Sequence, residues 1–124
     1  MEEKYLKNTH KNLIVYQKSV DLSVSINEYF SSKKMSKVQE FITLQLIRAT
    51  CSIGANIAEG YGRLYKQNYR QFLSIARGSS FEVACWLEIL AKNKWFEKAK
   101  VENFIRENIE IIKMLSKMVK TLET

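Results

Sequence analysis

The stretch SKVQEFITLQLIRATCSIGANIAEGYG, residues 36–62, decides the fold. Ser36 and Gln39 have the spacing of a capping box, in which the serine oxygen takes a backbone N–H of the first helical turn. From there Phe41, Ile42, Leu46, Ala49, Ile53 and Ile57 recur at helical steps as one apolar stripe. Leu44, Ile47, Cys51, Ala55 and Ala58 form a second stripe. A helix apolar on two sides is buried on two sides. In a lone bundle one side faces the core, so the other calls for a further partner and points to oligomerisation. Gly60-Tyr61-Gly62 reads as the stop, because glycine enters the left-handed region without steric penalty. The helix is expected from Ser36 to about Glu59.

Working outward, Leu13, Tyr16, Val20, Val24, Asn27 and Phe30 step by three and four and predict a first helix over Asn12 to Phe30. Residues 1–11 are polar and basic and are expected to fray. Ser31 to Met35 reads as a loop. A third helix is expected from Lys66–Asn68 to Lys92, with Tyr69, Phe72, Leu73, Ala76, Ser80, Val83, Leu87 and Leu90 on its core face. A fourth is expected from Glu97 to Leu122. There Val101, Ile105, Asn108, Ile112, Leu115, Val119 and Leu122 form a heptad seam, with Asn108 as the polar member that sets register. The chain has no proline and four glycines in 124 residues, too little punctuation for a β-rich domain. The expected fold is all-α: a single-domain, antiparallel up-down-up-down four-helix bundle spanning residues 1–124 and assembling as a homo-oligomer. Gly54 and Gly78 fall in helix interiors, where glycine costs about 1 kcal/mol relative to alanine. Their presence suggests close approach of helix two to helix three.

The net charge is +7, which favours acidic partners such as nucleic acid. Seven basic and four acidic residues fall in 1–37, five and four in 38–91, and eight and five in 92–124, so no block resembles a basic tail. Cys51 and Cys85 lie in helical patterns without a partner at C-x-x-C spacing and read as small core residues of a reducing compartment. No apolar signal region follows the N-terminus and no apolar run approaches membrane-spanning length. The expected setting is the cytoplasm, with no membrane contact.

No catalytic, metal-binding or cofactor-binding residues are identified. His10, the one histidine, lies in the frayed segment and reads as a solvated side chain. Zinc-ligand spacing, inward Glu-x-x-His pairs and a glycine-rich phosphate loop are all missing from the sequence. Gln45, Arg48, Ser52, Asn56 and Glu59 form a polar stripe on helix two, and Ser79 and Glu82 on helix three are placed to face it. The favoured reading is a hydrogen-bonded seam that sets helix register, with Arg48 paired to a carboxylate. The alternative is a carboxylate site shared by Glu59 and Glu82. The candidate nucleic-acid residues are Arg63, Lys66, Arg70 and Arg77, which share one face if helical, with Tyr61, Tyr65 and Tyr69 interleaved. Cations hold phosphates and aromatic rings stack on bases. Arg106, Lys113, Lys117 and Lys120 on helix four, interrupted by Glu110, read as an ordinary charged outer face.

Several of these segments resemble a known family. They are Gln45-Leu46-Ile47-Arg48-Ala49, Ser52-Ile53, Asn56-Ile57-Ala58-Glu59-Gly60, Gly62-Arg63, Phe72 to Ser79, and Glu82, together with Leu13-Ile14-Val15-Tyr16-Gln17. They are similar to the four-helix-bundle proteins encoded in bacterial 23S rRNA intervening sequences. Ile47 stands where that family often has a second arginine, and the Phe-Pro of its first loop is missing here. The resemblance implies a homo-oligomer, typically a barrel-like pentamer. It also implies kinship with the accessory proteins of diversity-generating retroelements, basic pentamers that partner a reverse transcriptase and nucleic acid. The expected function is therefore a non-enzymatic, oligomeric accessory protein that binds RNA or DNA. The alternative is a scaffold that docks a protein such as a polymerase without binding nucleic acid.

Overall fold

Ser36 caps its helix as the spacing predicts. Its Oγ accepts the Gln39 N–H at 3.2 Å, and its own N–H donates to Gln39 Oε1 at 2.9 Å. The computed structural model that this helix belongs to describes residues 9–123. It holds α1 (Ile14–Ser31), α2 (Lys37–Tyr61), α3 (Lys66–Asn93) and α4 (Lys98–Thr121), and no strand among the described residues. Each helix packs on its neighbours in the cycle α1–α2–α3–α4–α1. Cross-helix contacts fix the directions. Ser52 meets Ser79 and Arg48 meets Glu82, so α3 descends as α2 climbs. Lys18 meets Glu110 and Lys33 meets Glu97, which makes α1 and α4 antiparallel as well.

The core is one apolar cluster built from Leu22, Ile26, Leu46, Ile53, Ile57, Leu73, Leu87, Ile111 and Leu115 with their neighbours. Of the positions the periodicity picks out on α3, Leu73, Ala76, Ser80, Val83, Leu87 and Leu90 are buried, while Tyr69 and Phe72 are only half-buried. On α4 the seam turns slightly, burying Phe104 and Ile111 and leaving Ile105 and Ile112 at its margin. Asn108 is buried there and donates to the Ser80 carbonyl at 2.9 Å, tying the register of α4 to α3.

Several expectations are corrected. On α1 the core face is Val15, Ser19, Leu22, Ile26 and Phe30, while Val20, Val24 and Asn27 are exposed. The helix carries two interlaced apolar stripes, and its position between α2 and α4 selects the central one. Cys51 and Cys85 are exposed on outer helix faces, not packed in the core. Of the second α2 stripe, Leu44, Cys51 and Ala55 face outward, and Phe41 of the first stripe does too. The α2 helix, with 25 residues, is long and apolar enough to cross a membrane by length and composition, contrary to the sequence expectation. Here one side of it packs against α1 and α3, and Phe41, Leu44, Cys51 and Ala55 stay exposed. His10 does not lie in a frayed end: His10–Asn12 form a 3-10 turn, and the imidazole packs edge-on against Tyr16 at 4.7 Å. Residues 1–8 lie outside the described residues.

The glycines also differ from expectation. No glycine has a positive φ, and α2 continues through Gly60 to Tyr61. The close approach of α2 to α3 is at Gly60, where an added Cβ would lie 2.6 Å from Phe72 Cβ and 3.3 Å from Tyr69. Gly54 instead faces α1 with ordinary clearance, and Gly78 has nothing within 4 Å. The residue in the left-handed region is Lys94 at φ 58°, which ends α3 by donating its N–H to the Leu90 carbonyl. Gly60→Ala should therefore destabilise the fold by about 1–3 kcal/mol through overpacking. Gly54→Ala should be neutral or stabilising by up to about 1 kcal/mol from helix propensity. Urea unfolding of the two variants checks the order, and the reverse order would contradict the assigned contact.

Candidate nucleic-acid interface

The expected basic face divides in two. Arg63 lies in the loop before α3, turns back onto α2, donates to Glu59 at 2.8 Å and lies over the Phe72 ring at 4.9 Å. Lys66 opens α3 and lines a shallow hollow with Arg70, Leu122 and Glu123. Arg70 crosses to the end of α4, where its Nε donates to the Val119 carbonyl at 3.2 Å and its guanidinium meets Glu123 at 2.8 Å. Arg77 crosses farther along. Its Nε donates to Ser116 Oγ at 2.7 Å and its guanidinium lies over Phe81 at 4.9 Å. Lys66, Arg70 and Arg77 thus share the α4-facing edge of α3, and Arg63 does not.

These crossings bring the α3 cations to the row that the sequence left as an ordinary outer face. Lys113, Lys117 and Lys120 are exposed on the outer side of α4, next to Ser116 and Val119. Steps of four and three keep the three lysines together. Glu110, which separates these lysines from Arg106 in sequence, pairs with Lys18 of α1 at 3.0 Å, and Arg106 donates to Asn103 at 3.1 Å. The result is one basic face built from two helices. Its signal was present in the sequence, but no local pattern shows which two helix edges adjoin.

The aromatic residues gather at the same end of the bundle. Tyr65 precedes α3 and is 68% exposed, and Leu64 beside it is 92% exposed. Behind them Tyr61 packs edge-on against Tyr69 at 5.9 Å, with His10 6.3 Å away on its other side. Burial holds the Tyr69 phenol above its ordinary pKa, and the neighbouring Tyr61 pushes the same way, so Tyr69 stays protonated.

The polar stripe lies along the outer α2–α3 seam. Arg48 pairs with Glu82, which also accepts Trp86 Nε1–H at 2.9 Å, and Arg48 is steadied by Gln45 at 3.2 Å. Ser52 and Ser79 share a hydrogen bond at 2.9 Å, and Asn56 donates to the Ser52 hydroxyl and carbonyl. Glu59 stands apart, held by Arg63. With Ser52 opposite Ser79, Glu82 is level with Ala49, so Glu59 lies about ten residues, or ~15 Å, away along the helix. The two carboxylates do not form a shared site. The described residues contain no cluster of three His, Cys, Asp or Glu side chains able to hold a metal.

The seam is half-exposed, which limits its energetic weight. The Arg48 side chain is 56% exposed and Glu82 37%. Exposed ion pairs contribute at most about 1 kcal/mol each. The double variant Glu59→Gln/Glu82→Gln should stay folded, with a loss no larger than that per pair in thermal unfolding. Collapse of the fold would instead mark a buried charged seam.

A family model described as 23S rRNA-intervening sequence protein matches residues 11–117. Among solved structures, the chain is similar to a protein of unknown function from the S23 ribosomal protein family of Bacteroides thetaiotaomicron VPI-5482. The two are 26% identical with a TM-score of 0.77, over 86% of this chain and 99% of that one. No curated protein matches the chain. Neither matching description names a reaction. The family match runs from the 3-10 turn into the last turns of α4, and the chain therefore belongs to the family of 23S rRNA-intervening sequence proteins.

Proposed function

We propose that this protein is a non-enzymatic accessory factor of the cytoplasm that assembles with itself and holds RNA or DNA by the phosphate backbone. The observation that carries the reading is the two-helix basic face of Lys66, Arg70, Arg77, Lys113, Lys117 and Lys120. The acids at its border, Glu123 and Glu110, are held in exposed pairs with Arg70 and Lys18. Exposed pairs are weak, so a phosphate can take the arginine at little cost. Backbone contacts of this kind carry little sequence preference, and their affinity falls steeply with salt. Fluorescence anisotropy with a labelled mixed-sequence RNA tests this. Each lost phosphate contact lowers the slope of log affinity against log salt by about one. Lys113→Glu/Lys117→Glu should therefore flatten the slope by about two and weaken low-salt binding at least ~10-fold. The absence of binding by the wild-type protein at low salt would overturn the reading.

Self-assembly is supported by the outer α2–α3 face. Val38, Phe41 and Leu44 are more than half exposed there, alongside Cys51, Ala55 and, on α3, Ile75. Gly78 belongs to the same outer face of α3. Within one copy its missing side chain serves no contact and costs helix stability of about 1 kcal/mol. A second copy approaching closely at Gly78 accounts for both the small residue and the exposed apolar ones. The family resemblance implies five copies. Light scattering should give a multiple of the 14.5 kDa chain mass, reduced by Leu44→Asp or Gly78→Leu. A wild-type monomer would refute self-assembly. The same apolar face also suits a protein partner such as a polymerase. An oligomer that ignores RNA at low salt would favour that scaffold reading.

A further inference from the structure

We infer that the α2–α3 loop is a stacking platform for unpaired bases, which gives this protein a preference for single-stranded over duplex nucleic acid. The inference rests on the phosphate-binding reading above and adds the form of nucleic acid recognised. Leu64 and Tyr65 form the tip of the loop and are 92% and 68% exposed, the two most exposed large apolar side chains of the described residues. They project from a firm base. Tyr61 packs edge-on against Tyr69 and His10, and His10 against Tyr16, which ties the helix ends on either side of the loop to the start of α1. Cations flank the tip: Arg63, in an exposed pair with Glu59, precedes it, Lys66 follows it, and Arg70, in an exposed pair with Glu123, lies one turn on. No acidic residue occurs between Glu59 and Glu82 in the sequence.

That combination discriminates between nucleic-acid forms. Bases inside a duplex present only their edges in the grooves, and their faces are covered by the neighbouring pairs. A convex apolar tip finds no surface to cover there. In a single strand the face of a base is open, and an aromatic ring can stack on it while flanking cations take the adjacent phosphates. The basic face on α3 and α4 begins at Lys66, directly after the tip. A strand seated there runs from the stacking residue onto the lysine and arginine row without a break.

The test is anisotropy at low salt with two labelled probes, an unstructured RNA of about a dozen nucleotides and an RNA duplex of about the same length. The wild-type protein should bind the single strand at least ~10-fold more tightly. Tyr65→Ala should weaken single-strand binding by roughly 5- to 100-fold, the range that one base–aromatic stack supplies, and leave duplex binding unchanged. Tyr65→Phe should retain the preference, because the ring and not the hydroxyl does the stacking. Equal wild-type binding to both probes, with Tyr65→Ala silent, overturns the inference, leaves phosphate binding intact and assigns the loop to a protein partner. Wild-type binding to neither probe removes the phosphate-binding reading as well.

Discussion

The close packing of α2 on α3 is the constraint on which the other features depend. Gly60 lets the two helices meet at one end, the Ser52–Ser79 bond lies midway, and Arg48 reaches Glu82 beyond it. Had Gly60 carried a side chain, Phe72 and Tyr69 would have to move outward, and α3 would pivot away from the core. The tight meeting goes with a short connection, Gly62–Tyr65, on which Leu64 and Tyr65 are left largely exposed.

From that contact the orientation of α3 follows, and from α3 the basic face. With one side of α3 on α2 and its core side inward, Arg70 and Arg77 emerge at the edge next to α4. Long arginine side chains span such a gap by laying their aliphatic stems on neighbours and placing their charge at the rim. Arg77 does this over Phe81. The lysines of α4 then belong to the same surface as the α3 cations, and the acid that precedes them in sequence, Glu110, is paired with Lys18 of α1.

The polar and charged residues contribute less to stability than their pattern suggests. The ion pairs Lys18–Glu110, Lys33–Glu97, Arg48–Glu82, Arg63–Glu59, Arg70–Glu123 and Lys92–Glu88 all have side chains exposed by a third or more, where water screens them. Stability comes instead from the continuous apolar cluster that joins all four helices. The surface is therefore free to vary its charges without loss of fold, and a concentration of cations on one face is easier to relate to a partner than to folding.

The sequence by itself determined the number and kind of elements, because helical periodicity and capping are local. Ser36-x-x-Gln39, the apolar steps of α3 and the buried Asn108 were all legible in this way, as was the pairing of Arg48 with a carboxylate across the seam. It did not determine which of two interlaced stripes on α1 turns inward, that Cys51 and Cys85 face outward, or that Gly60 rather than Gly54 or Gly78 marks the close approach. Those depend on the rotation of each helix about its axis, which is settled only when neighbours compete for the same core. The candidate site follows the same division. Arg70, Arg77 and Tyr65 could be named from a basic and aromatic run, whereas their union with Lys113, Lys117 and Lys120 required two helix edges, distant in sequence, to be packed side by side.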